Sequence, residues 1–127
     1  MLKTAGKGTF GTVLECVDSK YDAIVAVKAV RSVSRYLDAA LVEVEILSRI
    51  RDLDPERKSL CVRLLKSFKA VHRGREHEFL VFERLGKSLY DFVKKNDYRG
   101  FPLEQVRSIS RQVLSAIACR IGVWRRN

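Results

Sequence analysis

Gly6-Lys7-Gly8-Thr9-Phe10-Gly11, with Val13 two residues further on, is the stretch on which the reading of this chain turns. Glycines let a backbone approach a phosphate with no Cβ in the way. Alone, such a pattern serves equally well as a glycine hairpin that binds nothing. A dinucleotide-binding turn needs a strand before its glycines and a helix directly after them. Only five residues precede Gly6, and Thr12 to Asp18 is rich in β-formers. The dinucleotide alternative therefore fails on context.

Outward from the glycines, Ser19-Lys20-Tyr21-Asp22 is a turn, and Ala23 to Val30 is apolar on both faces, as a strand inside a sheet would be. The two segments are expected to pair antiparallel. A helix follows from about Arg35 to Ile50, with Ser34 as its N-cap and Tyr36, Ala40, Val44 and Leu47 on one face. Asp52 to Lys58, with Asp54-Pro55, reads as a loop. Strands are expected at about Val62 to Val71 and His77 to Glu83, joined through His72-Arg73-Gly74-Arg75. Leu85-Gly86 interrupts the pattern as a hinge would. Ser88 is placed to cap a short helix carrying Leu89, Phe92 and Val93, and Asn96 to Gly100 is a loop. Pro102 suits the start of a last helix with Leu103, Val106, Ile109, Val113 and Ile117 on one stripe, and Gly122 is expected to end it. The fold class is α+β, with an antiparallel sheet.

Two charged residues sit where apolar ones would be expected. On strand alternation Lys28 shares a face with Ile24, Ala26 and Val30. An unpaired buried ammonium is costly, so this lysine needs an anion, unless it snorkels to water at a strand edge. Helical spacing sets Glu43 with Tyr36, Ala40, Leu47 and Ile50 on the inward side, while Glu45 points out. Glu43 alone could bend to solvent. Taken together, Lys28 and Glu43 each supply what the other lacks, and an ion pair from sheet to helix is the simplest solution.

Gly-x-Gly-x-x-Gly-x-Val, then Val25-Ala26-Val27-Lys28, then a helix with an inward Glu, resembles the small lobe of a protein kinase. Glu15-Cys16-Val17-Asp18, Arg35-Tyr36, Ala39-Ala40, Phe82-Glu83, Leu85-Gly86 and Tyr90-Asp91-Phe92-Val93-Lys94 look like the LAMMER-type (Cdc-like) dual-specificity kinases, to about Ala118. The related dual-specificity kinases that act in splicing stay open as an alternative. The resemblance implies a kinase N-lobe over residues 1–86 and the start of a C-lobe over 87–127, with a divergent tail from about 119. It implies that the stretch Gly6, Lys7, Gly8, Thr9, Phe10 and Gly11 covers the phosphates of ATP. Val13 and Ala26 would pack on adenine. Lys28, held by Glu43, would bind the α- and β-phosphates. Phe82 would be the gatekeeper, the Glu83 carbonyl and Leu85 amide would hydrogen-bond adenine, and Ser88 and Asp91 would lie near the ribose. Ordinary core and turn packing is the plainer account of Phe82 and Leu85.

The resemblance further implies Ser/Arg-rich splicing proteins as substrates, magnesium in the intact family, and a nuclear or cytoplasmic setting. The catalytic-loop Asp and Asn and the Asp of Asp-Phe-Gly, which orient the hydroxyl and hold magnesium, have no matching motif here. Glu104 is the last acidic residue, and the family pattern fades at Cys119-Arg120-Ile121-Gly122-Val123-Trp124-Arg125-Arg126-Asn127. That tail reads as out-of-frame, intron-derived or truncated sequence. The chain alone is expected to bind nucleotide weakly and to transfer no phosphate. Apolar helix faces after Gly86 are expected to favour self-association or chaperone binding.

Composition sets the outer bounds. The chain has 127 residues, 46% hydrophobic and 31% charged, which excludes a disordered tail and a disulfide mini-protein. No apolar run approaches the roughly 20 residues of a membrane helix, and Met1 to Gly6 lacks a signal-peptide core. Cys16, Cys61 and Cys119 have no ligand spacing and read as small buried thiols; His72 and His77 have no metal pattern around them. The net charge of +10 opens a second class, a basic nucleic-acid-binding module using Lys66, Lys69, Arg73, Arg75 and Arg125-Arg126. With no nucleic-acid motif beside the charge, a solvated surface is the preferred reading. A third class is a pseudokinase-like scaffold that keeps the lobe for partners without catalysis.

Overall fold

The computed structural model describes residues 3–124. Five strands form one antiparallel sheet: β1 (Lys3–Lys7), β2 (Gly11–Asp18), β3 (Ala23–Val30), β4 (Leu64–His72) and β5 (Arg75–Glu83), in the order β1-β2-β3-β5-β4. Helix α1 (Ser34–Leu53) connects β3 to β4, and α2 (Leu89–Lys95) and α3 (Leu103–Trp124) follow the sheet.

β3 takes the boundaries its composition predicts and lies at the centre of the sheet, which is why it is apolar on both faces. The β4–β5 turn is Arg73-Gly74, with φ of 51° and 72°. Two consecutive left-handed residues make the two-residue hairpin whose twist suits the flanking strands. β5 therefore begins at Arg75 rather than His77, and β4 runs from Leu64 to His72 rather than from Val62 to Val71. β1 has no hydrophobic alternation to announce it. It forms because pairing with β2 supplies its backbone hydrogen bonds, and that pairing extends β2 back to Gly11.

Ser34 does not cap α1. Val33 does, with φ −131° and ψ 127° and no side-chain bond, and its carbonyl accepts from the amides of Tyr36 at 2.8 Å and Leu37 at 3.1 Å. Ser34 is already helical, its Oγ 3.5 Å from Asp38 Oδ2. The helix runs on to Leu53, where the Asp54 amide donates to the Ile50 carbonyl at 2.9 Å. The Asp54 carboxylate then accepts from the amides of Lys58 at 2.8 Å and Ser59 at 2.6 Å, ordering the following loop. α3 continues past Gly122 to Trp124. A glycine costs a helix about 1 kcal/mol but ends it only by turning left-handed.

Val30, Ala40, Leu64 and Leu80 form the core, with Tyr36, Leu37, Val44, Leu47 and Phe82 against them. The helical face expected to pack does so. Cys16, Cys61 and Cys119 are half-buried rather than buried, and none is in a disulfide. His77 Nδ1 lies 2.8 Å from the Val30 carbonyl. Among the described residues no helix is long and apolar enough to cross a membrane, and no three His, Cys, Asp or Glu gather as metal ligands would. Arg125 and Arg126, named above as basic candidates, lie outside the described residues, as do Met1 and Leu2.

Candidate functional site

Sheet register assembles the site. Gly6, Val13, Lys28 and Leu80 lie side by side across β1, β2, β3 and β5. Two residues along the strands, Glu15, Ala26, Phe82 and Leu64 form the next row. A two-residue step returns side chains to the same face, so both rows look the same way. That face carries Val30, Leu64 and Leu80 into the core against α1, and Val13, Ala26 and Phe82 into a cleft beside it.

The cleft is a cavity of about 790 Å³. Val13, Ala26 and Phe82 are its apolar sheet wall, Lys3, Thr4 and Ala5 of β1 its outer side, and Glu83 to Lys87 with Asp91 the opposite rim. Glu43 lines it and also a second cavity of about 220 Å³ under the β1–β2 turn, walled by Phe10, Lys28, Val30, Tyr36, Ala39 and Ala40. At the junction Lys28 Nζ donates to Glu43 Oε2 at 2.6 Å, with side chains 23% and 36% exposed. This is the sheet-to-helix ion pair that burial logic demands of the two residues. Partial exposure leaves the ammonium two further donors for another anion.

The glycines divide by role. A Cβ on Gly11 would sit 2.2 Å from the Ala29 carbonyl oxygen, so Gly11 permits the close approach of β2 to β3. A Cβ on Gly6 or Gly8 would meet nothing within 4 Å. Packing inside the chain does not require glycine at those two positions, and their bare backbone borders open space. Lys7, at the end of β1, and Thr9, in the turn, are exposed.

Glu83 is fixed by its surroundings. Its amide donates to the Arg63 carbonyl at 3.2 Å, its Oε1 accepts from the Arg63 amide at 2.9 Å, and its Oε2 pairs with the Arg57 guanidinium. The side chain is thus engaged with the loop after α1. Ser88 is the N-cap of α2 and forms a capping box with Asp91, whose Oδ2 accepts from the Ser88 amide at 2.9 Å and hydroxyl at 2.7 Å. These bonds hold the Asp91 carboxyl below the usual carboxylate range. Asp91 reaches the cavity wall, whereas Ser88 is spent on the cap.

Glu15 is a site residue that motif reading left without a role. It is 8% exposed and pairs with Lys3 at 3.1 Å and Arg84 at 2.6 Å, joining β1, β2 and the linker after β5 at the cavity's edge. The hydrogen bond from Lys3 lowers its carboxyl from the ordinary value, with both cations adding to the effect. The sequence signal existed: Glu15 lies two residues from Val13 and so on the same face. Of the basic candidates, Lys69 pairs with Glu76 at 3.0 Å and Lys66 stands 5.8 Å from the centre of the Phe68 ring.

A glycine flap, a paired lysine on the neighbouring strand and a linker closing a cleft under the sheet define the N-terminal part of a protein kinase fold. Residues 1–119 match the protein kinase domain, and the chain belongs to that family. It is 44% identical over 118 residues to serine/threonine-protein kinase AFC1 of Arabidopsis thaliana, covering 93% of this chain and 24% of that protein. It is 46% identical over 120 residues to probable serine/threonine-protein kinase clkA of Dictyostelium discoideum, covering 92% and 12%. It is 39% identical over 118 residues to dual specificity protein kinase CLK2 of Homo sapiens, covering 92% and 23%. The chain thus spans a quarter or less of the length of these curated relatives.

Proposed function

We propose that this chain is the ATP-holding portion of a serine/threonine (dual-specificity) kinase of LAMMER type, whose intact form phosphorylates Ser/Arg-rich proteins. The carrying observation is the row Gly6–Val13–Lys28, with open space at Gly6 and Gly8 and Lys28 fixed on Glu43. A triphosphate would lie under the flap against the Lys28 ammonium, and a flat heterocycle against Val13, Ala26 and Phe82. The cavity's volume of about 790 Å³ lies within the roughly 300–1,000 Å³ of ligand clefts. The engagement of Glu83 with Arg57 and Arg63 suits the backbone role expected of it, because it steadies the strand end without using the cleft. Glu43 orients Lys28 rather than touching nucleotide.

Magnesium, when bound with ATP, spreads phosphate charge. The residues that hold it in kinases have no matching motif in the 127 residues. For the same reason the chain by itself is proposed not to transfer phosphate.

The test is a titration of a fluorescent ATP analogue with the wild-type chain and Lys28→Met, followed by incubation with Mg-ATP and a Ser/Arg-rich peptide. Losing a charge-assisted bond worth about 1.5–3 kcal/mol weakens binding by about ten- to a hundredfold. Equal affinity in the two proteins would refute the nucleotide site. Peptide phosphorylation above the Lys28→Met background would refute the claim of inactivity.

A further inference from the structure

We propose that Arg31 and Tyr36 are positioning residues that hold the glycine flap over the Lys28–Glu43 pair, an inference that rests on the nucleotide function proposed above. Both carbonyls that frame the flap's tip are taken by one residue. Arg31 Nη2 donates to the Gly8 carbonyl at 3.1 Å, and the Arg31 amide donates to the Phe10 carbonyl at 3.0 Å. The Gly8 amide donates to the Gly11 carbonyl at 2.9 Å and closes the turn. The guanidinium thus holds the negative end of the Gly8 peptide dipole, and the Arg31 backbone amide that of Phe10. The amides of Thr9 and Phe10 have no acceptor among the described residues. A turn with engaged carbonyls and unclaimed amides is electrostatically matched to an anion.

The third point of attachment is aromatic. The Phe10 ring meets Tyr36 edge to face, centroids 5.3 Å apart at 76°. Arg35 fixes the Tyr36 ring by donating to its hydroxyl at 2.8 Å, with its guanidinium 4.7 Å from the ring centre. Phe10 and Tyr36 together roof the smaller cavity, which has Lys28 and Glu43 in its wall. Tyr36 and Glu43 are seven residues, about two turns, apart on α1 and share its face. One helix therefore carries both the orienting carboxylate and the seat of the flap. Removing the Tyr36 ring would loosen the flap while leaving the ion pair in place.

The experiment uses the 127-residue chain as wild type, Arg31→Ala, Tyr36→Ala, Tyr36→Phe and Lys28→Met. Hydrogen exchange over residues 6–11 reads the flap, and the fluorescent ATP analogue reads the site. Arg31→Ala and Tyr36→Ala should each speed flap exchange and weaken the nucleotide several-fold. The unfolding midpoint should be little moved in Arg31→Ala, an exposed side chain, and lowered in Tyr36→Ala, whose ring also packs on the core. The conservative Tyr36→Phe, which keeps the ring against Phe10 and loses only the Arg35–hydroxyl bond, should recover most of both readouts. Flap exchange unchanged in both alanine variants overturns the proposal, as does Lys28-dependent binding that survives both of them. Absence of Lys28-dependent binding in the wild type sinks the nucleotide reading, and this proposal with it.

Discussion

Gly11 and Gly8 belong to one motif yet answer to different forces. At Gly11 the constraint is a backbone oxygen on β3, which cannot move without parting the sheet. At Gly6 and Gly8 the chain itself imposes none. Alanine therefore separates structure from binding. Gly11→Ala should lower the thermal midpoint strongly, because the 2.2 Å approach forces β2 from β3. Gly6→Ala and Gly8→Ala should leave stability within about 0.5–1 kcal/mol of wild type, the backbone-entropy scale, and so move the midpoint little, and weaken ATP-analogue binding. Circular dichroism melts and the binding titration check both halves. Equal melting losses at all three positions would contradict the division.

Among the elements, α1 bears the most function, since it presents both Tyr36 and Glu43 to the sheet. Its start is also the least well made part of it. Val33 holds the extended geometry of an N-cap but supplies no side-chain acceptor, and the first turn has no acidic residue. Val33→Asp would add both an acceptor for a free amide and a charge that suits the helix N-terminus. It should stabilise the chain by about 1 kcal/mol in urea melts, with no change in nucleotide affinity. A destabilised variant would mean that the exposed Val33 side chain contributes packing worth more than a cap. The capping box at Ser88 and Asp91 shows the same chemistry already in place at α2.

At the scale of the whole molecule, charge governs. Three carboxyls sit below their ordinary values: Glu15, which joins β1, β2 and the linker through Lys3 and Arg84, and two with local partners, Asp54 through Ser59 and Asp91 through Ser88. Each binds a proton less readily folded than unfolded. Their stabilisation is complete above the ordinary carboxylate range, about pH 4, and is lost as pH falls through the lowered folded values. The net charge of +10 adds self-repulsion, which grows as acids are neutralised. The stability gap between wild type and Glu15→Gln should therefore be widest near neutral pH and close on acidification. A gap independent of pH would show that the Glu15 charge is not what joins Lys3 and Arg84. Leu103, Val106, Val113, Leu114, Ile117 and Ile121 of α3 stay exposed. Of the stripe expected on this helix, Leu103, Val106, Val113 and Ile117 are thus exposed while Ile109 is half-buried.

What was legible in the sequence was whatever a local rule dictates. The β3 run, the inward face of α1, the Arg73-Gly74 turn and the Ser88 cap each follow from the propensity or periodicity of a few adjacent residues. The Lys28–Glu43 pair was legible too, because a charge on an apolar face must find its opposite. β1 was not, since an edge strand of this composition forms only when a partner offers it hydrogen bonds. The Val33 cap and the run of α3 through Gly122 escaped because backbone geometry outvoted residue preference. Tertiary structure alone aligned Gly6, Val13 and Lys28 in one row, brought Glu15 between Lys3 and Arg84, and set Arg31 and Tyr36 on the flap. Those contacts join residues from different strands and a helix, and register and packing, which no local pattern encodes, decide which of them meet.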